Sequence, residues 1–346
     1  MHKRTPRALL AIAVVAGLLL AACGSDDSGS SADTDSGGGA TKLSLVSFSV
    51  PKAAHDLAQA AFAKTDAGKG VTWSSSYGAS GDQSRAVAAG QKADVVHFSL
   101  ESDVTRLVDA GLVSKDWDAG EHKGIVSESV VVLAVRKGNP KHIEGWDDLV
   151  KPGVKIITPN PGSSGSARWN ILAAWGHVIA KGGSEADAST FLTTLFKNTV
   201  ALPGSGRDAT TAFTSGTGDV LISYENEAIL ARQNGADFDY VVPDESILIE
   251  NPAAATTKAS PKAQSYLDYL VSDAGQKLFA QVGFRPIVEG VKVDVRGAND
   301  PSDPFPTVKH LLTIEKDFGG WSVAAKKFFD PDNGIITKIQ ESTGKS

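Results

Sequence analysis

From Leu43 onward the chain alternates short β-branched runs with amphipathic helical stretches, and this alternation restricts its fold more than any other feature. Residues 43–48 read as a strand and 52–64 as a helix. Residues 71–77, 93–98, 130–136, 155–158, 219–224 and 238–242 read as further strands, with helical stretches at 82–90, 103–110 and 169–180. The last of these is stopped by Gly182-Gly183, the usual glycine signal at a helix C-terminus. Strands separated by helices of this length build βαβ units and mostly parallel sheets flanked by helices. The pattern runs for about 300 residues, roughly twice a typical domain. Two α/β lobes are therefore expected, with a cleft between them. No linker-like stretch interrupts the pattern, which suggests that the chain crosses between lobes through strands.

The N-terminus reads as an address rather than as fold. His2, Lys3, Arg4 and Arg7 precede an apolar run over 8–20, shorter than the ~20 residues of a spanning helix, so 1–22 is expected to be a cleaved signal peptide. The run ends Leu20-Ala21-Ala22-Cys23, and Cys23 is the only cysteine, so no intrachain disulfide can form. It is either a small residue at a cleavage site or an acylated thiol. The sequence resembles the bacterial lipobox, and the Ser-, Gly- and Asp-rich stretch behind it suits a flexible tether. Residues 23–42 are thus expected to be a lipidated cysteine and tether, placing an exported domain at the outer face of the cell membrane or in the periplasm. Losing 1–22 removes Lys3, Arg4 and Arg7 and no acid, so the formal charge of −6 becomes −9. That balance argues against a nucleic-acid partner.

Three expected strand-to-helix junctions share one chemistry. They are Tyr77-Gly78-Ala79-Ser80-Gly81-Asp82, then Asn160-Pro161-Gly162-Ser163-Ser164-Gly165-Ser166, then Pro203-Gly204-Ser205-Gly206-Arg207-Asp208. Ligands of open α/β sheets bind at the carboxyl ends of the strands. There, unpaired amides and the helix dipole favour an anion, glycine permits close backbone approach, and serine adds a hydroxyl donor. The plainer reading is that such clusters are N-caps and turns. On these residues alone both readings stand.

Longer blocks carry a resemblance. Val135-Arg136-Lys137-Gly138-Asn139-Pro140, Trp146-Asp147-Asp148-Leu149, Ile157-Thr158-Pro159-Asn160-Pro161, Ser163-Ser164-Gly165-Ser166-Ala167-Arg168-Trp169-Asn170, Glu225-Asn226-Glu227-Ala228 and Phe318-Gly319-Gly320-Trp321 resemble the periplasmic sulfate-binding proteins of ABC importers, in that order along the chain. The resemblance implies a two-lobed class II periplasmic-binding-protein fold, a Venus flytrap. Lobe 1 would comprise 43–127 and 249–346, and lobe 2 128–248. It further implies a monomer that holds dehydrated sulfate by neutral donors and docks on the permease subunits of an importer. Matched motif by motif, Ser80 gives its hydroxyl, and Ser164, Gly165 and Ser166 take the place of the family's Ser-Gly-Gly. Gly206 gives an amide with Arg207 behind it, Tyr224 replaces a tryptophan before Glu-Asn-Glu, and Ser49 stands near the family's N-terminal aspartate position.

The chemistry of selectivity follows. Sulfate carries no proton near neutral pH, so donors alone satisfy it. Hydrogen phosphate needs an acceptor, and a buried carboxylate would repel a fully ionised anion. Asp82 and Asp208 are either first-turn acids that favour the helix dipole or acceptors facing the ligand, and the second case would favour phosphate. Thiosulfate and molybdate are further alternatives. A lipid-anchored serine hydrolase is the competing class, because Gly162-Ser163-Ser164-Gly165-Ser166 nearly matches G-x-S-x-G. It lacks the last glycine and any histidine in a recognisable partner context. Ser49-Val50-Pro51-Lys52 matches S-x-x-K without companion motifs, and the seven histidines show no metal-ligand spacing. No catalysis, metal or cofactor is expected.

Overall fold

A computed structural model describes residues 40–345, so the expected signal segment, Cys23 and most of the tether lie outside the described residues. The first part of the fold comprises β1 (Thr41–Phe48), α1 (Lys52–Phe62), β2 (Val71–Gly78), α2 (Ser80–Ala88), β3 (Val95–His97) and α3 (Glu101–Asp109). The long strand β4 (Ile125–Arg136) leads to β5 (Ile156–Ile157), α4 (Gly165–Ala180), α5 (Glu185–Asn198) and β6 (Thr199–Ala201). Then come α6 (Gly206–Thr214), β7 (Val220–Tyr224), α7 (Glu225–Gln233) and β8 (Phe238–Val241). A second long strand, β9 (Glu245–Ala255), precedes α8 (Pro261–Leu270), α9 (Asp273–Gln281), β10 (His310–Leu312), α10 (Ile314–Phe318), α11 (Gly320–Phe329) and α12 (Ile335–Thr343). β1 starts inside the expected tether, because Thr41 and Lys42 continue the ladder to Val71 and Thr72.

The strands follow the order β2-β1-β3-β9-β4-β7-β5-β6, with β8 on β4 and β10 on β9. Pairing is parallel among β2, β1 and β3 and among β7, β5 and β6. Two antiparallel strands join these parallel sections. β4 pairs with β9 over its first half, then with β7 and β8. β9 pairs with β4 and then, from Ala253, with β3. Strand alternation divides β4 between two cores. Val131, Leu133 and Val135 enter one apolar cluster, whereas Val130, Val132 and Ala134 enter another with Phe213, Leu221 and Phe238.

β9 departs from the sequence expectation: it was not among the expected strands, and it runs through Pro252, which can give no amide to a ladder. Proline is tolerated here because the ladder changes partner at this point: Pro252 has no amide to give, its carbonyl accepts from the Phe98 N–H at 2.9 Å, and Ala253 resumes pairing. The last helices touch elements of both expected lobes, α11 packing against α3 as well as against α4. α4 is buried around nearly its whole circumference from Gly165 to His177, so it needs cover on two sides. α11 supplies part of it, and α12 packs beside it on α5. Trp175 meets Phe328 edge-on at 4.9 Å, Trp169 meets Trp321 at 4.6 Å, and Lys327 pairs with Glu185 on α5.

Where β4 and β9 pair, Glu128 stands directly opposite Glu250. Like charges so placed repel. Burial, then Glu250, pushes the Glu128 carboxyl up to about 7. A carboxyl raised by folding holds its proton more tightly folded than unfolded, so stability falls as pH rises from the ordinary 4.5 through about 7. Glu128→Gln should remove that loss. Its thermal midpoint is expected to exceed that of the unsubstituted protein at pH 8 and to vary less across this window. Parallel midpoint curves would contradict the account.

Candidate anion-binding site

The three Gly-Ser junctions converge, and hydrogen bonds tie them together. The Gly81 N–H, at the start of α2, donates to the Ser163 carbonyl at 3.0 Å. The Ser163 hydroxyl donates to the Gly204 carbonyl at 2.7 Å, and the Asn160 N–H to the Pro203 carbonyl at 2.8 Å. Asn160 also shapes its own loop, accepting from Gly162 N–H on Oδ1 and from Ser164 N–H on its carbonyl, both at 2.8 Å.

Glycine at two helix starts allows this approach. A Cβ on Gly165 would stand 2.6 Å from the Ser99 Cβ and hydroxyl, just beyond the end of β3. A Cβ on Gly206 would stand 2.9 Å from the Ser166 hydroxyl and 3.2 Å from Val50, just beyond the end of β1. First-turn amides have no partner inside their own helix. Among the described residues, no acceptor meets the amides of Gly165, Ser166, Gly206 or Arg207. The Ser164 side chain does not cap α4, which leaves its hydroxyl uncommitted to the helix.

Tyr224, at the end of β7, brings its phenol to this place. Its oxygen lies 2.7 Å from the Ser99 hydroxyl, with the side chains of Ser166 and Asn251 close by. Burial pushes the phenol up, so it keeps its proton and remains a donor. The structure thus gathers Ser164, Gly165, Ser166, Gly206 and Tyr224. The hydroxyl at 166, where the family has glycine, fits between Gly206 and Tyr224.

Ser80 is close by, but its hydroxyl is engaged elsewhere. It donates to Asp103 Oδ2 at 2.6 Å and accepts from the Ser99 N–H at 2.9 Å. A hydroxyl has one proton, and a buried carboxylate is the stronger claimant. Ser80 therefore offers the cleft its amide rather than its hydroxyl. Ser49 is at the margin: its N–H donates to the Gly78 carbonyl at 2.9 Å, and its neighbour Val50 packs against the α6 start. Ser99 and Asn251 had no motif to reveal them. The only signal for Ser99 is its position just past a parallel strand.

The charges near the site are paired or turned away from it. Asp82 and Asp208 are exposed. The first pairs with Arg85, and the second accepts from the Ser205 hydroxyl at 2.7 Å. Arg207 grips buried Glu227 with two bonds, at 2.9 and 2.6 Å, and reaches the Val50 carbonyl at 3.1 Å. Buried Asp103 pairs with Arg106 at 2.9 Å.

This geometry can be set beside known proteins. The family described as bacterial extracellular solute-binding proteins matches residues 43–285. The chain belongs to that family. This solute-binding protein is 39% identical over 343 residues to a sulfate-binding protein of Synechococcus elongatus, covering 96% of this chain and 95% of the other. It is 38% identical over 287 residues to a thiosulfate-binding protein of Pseudomonas aeruginosa, covering 80% and 84%. The solved structure of the sulfate-binding protein SubI from Mycobacterium tuberculosis superimposes with a TM-score of 0.78 at 44% identity, covering 84% of this chain and 100% of that one.

The contact between Ser166 and Gly206 can be measured. Gly206→Ala should destabilise by about 1–3 kcal/mol through overpacking, and Ser166→Gly should recover part of that loss in the double variant. Urea unfolding of the four proteins closes the cycle. Strictly additive effects would contradict the contact.

Proposed function

We propose that this protein is an extracytoplasmic sulfate receptor of an ABC importer, and not an enzyme. The observation that carries the reading is a convergence of neutral donors without an ionic partner aimed among them. Unpaired amides begin α4 and α6, the hydroxyls of Ser164, Ser166 and Tyr224 stand beside them, and the nearest acids and Arg207 are committed elsewhere. The names of the relatives point the same way.

Donors fixed in advance need little rearrangement when the anion arrives. Each charge-assisted bond contributes roughly 1.5–3 kcal/mol, and several together offset the cost of dehydrating a dianion. Phosphate would need an acceptor in the pocket. Two buried carboxylates are close: Asp103 lies behind the Ser80 hydroxyl and is paired with Arg106, and Glu227 is held by Arg207. Thiosulfate is the second reading, favoured by the relative named for it. Against a hydrolase, no hydrogen bond of Ser164 or Ser166 among the described residues involves a histidine.

In this reading the lobes hinge where β4 and β9 change partners, near the expected boundaries at 127/128 and 248/249. The chain is held to the membrane by Cys23 and works as a monomer with permease subunits. Calorimetric titration with sulfate, thiosulfate, phosphate and molybdate tests the ligand. Sulfate or thiosulfate should bind most tightly, and Ser164→Ala should weaken sulfate about 10- to 100-fold. Tighter binding of phosphate, or an unchanged affinity in the variant, would refute the proposal.

A further inference from the structure

Behind the site runs a chain of buried polar groups that the anion contacts do not explain. The Tyr266 phenol on α8 lies 2.9 Å from His55 Nδ1 on α1, and His55 Nε2 lies 2.8 Å from His97 Nδ1 on β3. His97 Nε2 lies 3.4 Å from the Ser127 hydroxyl on β4, which donates at 3.3 Å to Asn251 Oδ1 on β9. Asn251 Nδ2 then donates to the Ser99 carbonyl at 3.1 Å. His55, His97, Ser127, Asn251 and Tyr266 are all 0% exposed.

The direction of every proton in this chain can be worked out. The Ser99 carbonyl is an acceptor and already takes the Trp169 indole N–H at 2.9 Å, so the Asn251 atom facing it must be the NH2 group. That turns Asn251 Oδ1 toward Ser127, which must donate its one proton there. His97 Nε2 must then carry a hydrogen, because Ser127 has no proton left to give it. Burial holds His97 well below its ordinary value and His55 down to about 3, so each ring is neutral and has one N–H. His97 Nδ1 is therefore a bare acceptor, His55 Nε2 its donor, and His55 Nδ1 the acceptor of the Tyr266 proton. At the far end the phenol, pushed up by burial, keeps a proton that it can give to His55.

We propose that Tyr266, His55, His97, Ser127 and Asn251 form an uncharged, proton-ordered relay whose donors all point toward Ser99, and that this relay positions the anion site. It rests on the reading of the site as a sulfate pocket. Aligned hydrogen bonds polarise one another, so the relay turns a positive dipole end toward the site without adding a net charge. It also fixes Ser99, whose N–H holds Ser80, whose hydroxyl holds Tyr224, and whose carbonyl receives Asn251 and Trp169. These five residues order the pocket. None of them is proposed to touch the anion.

Nitrogen-15 spectra of the histidine-labelled protein read the tautomers directly, with or without ligand. Two histidines should stay in the neutral Nε2–H form from about pH 5 to 8, the range in which free histidine titrates. An Nδ1–H form, or titration of either ring, overturns the relay. Two variants then test its effect on binding. Ser127→Ala cuts the relay at its middle and should weaken sulfate about 2- to 10-fold, the worth of one ordinary hydrogen bond. Ser246→Ala removes an equally buried hydroxyl on β9 that bonds the Val131 carbonyl instead, and should leave affinity unchanged. Equal losses in both, or none in Ser127→Ala, would reduce the relay to packing. Failure of the unsubstituted protein to bind sulfate would overturn the proposed function, leaving the tautomers to judge the relay separately.

Discussion

A doubly charged anion can be taken out of water without a counter-ion only where enough hydrogen-bond donors already point at one place. Helix starts supply such donors at no extra cost, because their first amides cannot be satisfied inside the helix. Here the starts of α4 and α6 face one volume, with α2 bonded alongside through Gly81. Much of the surrounding architecture follows from that requirement. Parallel strands direct each helix start to the same edge of the sheet. Glycine at 165 and 206 removes the Cβ atoms that would hold Ser99, Val50 and Ser166 away. The paired strands β4 and β9 join the two parallel sections that carry these junctions.

The same requirement explains how charge is managed around the pocket. Arg207 lies next to an unpaired amide, yet its guanidinium is bound to Glu227. Arg285 grips Glu225, one residue beyond Tyr224, at 2.7 and 3.1 Å. Asp103 is matched by Arg106. These ions near the site are thus balanced locally, and Arg168 on α4 turns away to the Pro161 carbonyl and the Phe329 ring. What remains to face a ligand is partial charge, on amides and hydroxyls whose geometry the fold sets.

Much of this could be read in the sequence, and the exceptions have physical causes. The alternation of strands and helices and the Gly-Ser junctions are local patterns, so the α/β fold and the three loops could be read directly, whereas the choice of residues 164–166 and 206 within them came from the family resemblance. Ser80 could be located, but not the fate of its proton, because that depends on Asp103, which lies 23 residues away. Ser99 and Asn251 act through contacts made only after folding. β9 was not among the expected strands, and it runs through a proline that is harmless only where the ladder changes partner. That α11 packs against α4 as well as α3 is likewise a tertiary feature, set by how much of α4 is apolar.

The central claim is that no group that ionises between about pH 5 and 8.5 contacts the bound anion, and the pH dependence of sulfate affinity tests it most directly. Sulfate does not titrate over about pH 5 to 8.5, and neutral amides and hydroxyls do not either. Calorimetry across that range should therefore give a dissociation constant that stays flat at fixed ionic strength. A constant that changed about tenfold per pH unit in any part of the range would mean that binding takes up or releases a proton. A titrating side chain would then share in holding the anion, and the account would fail.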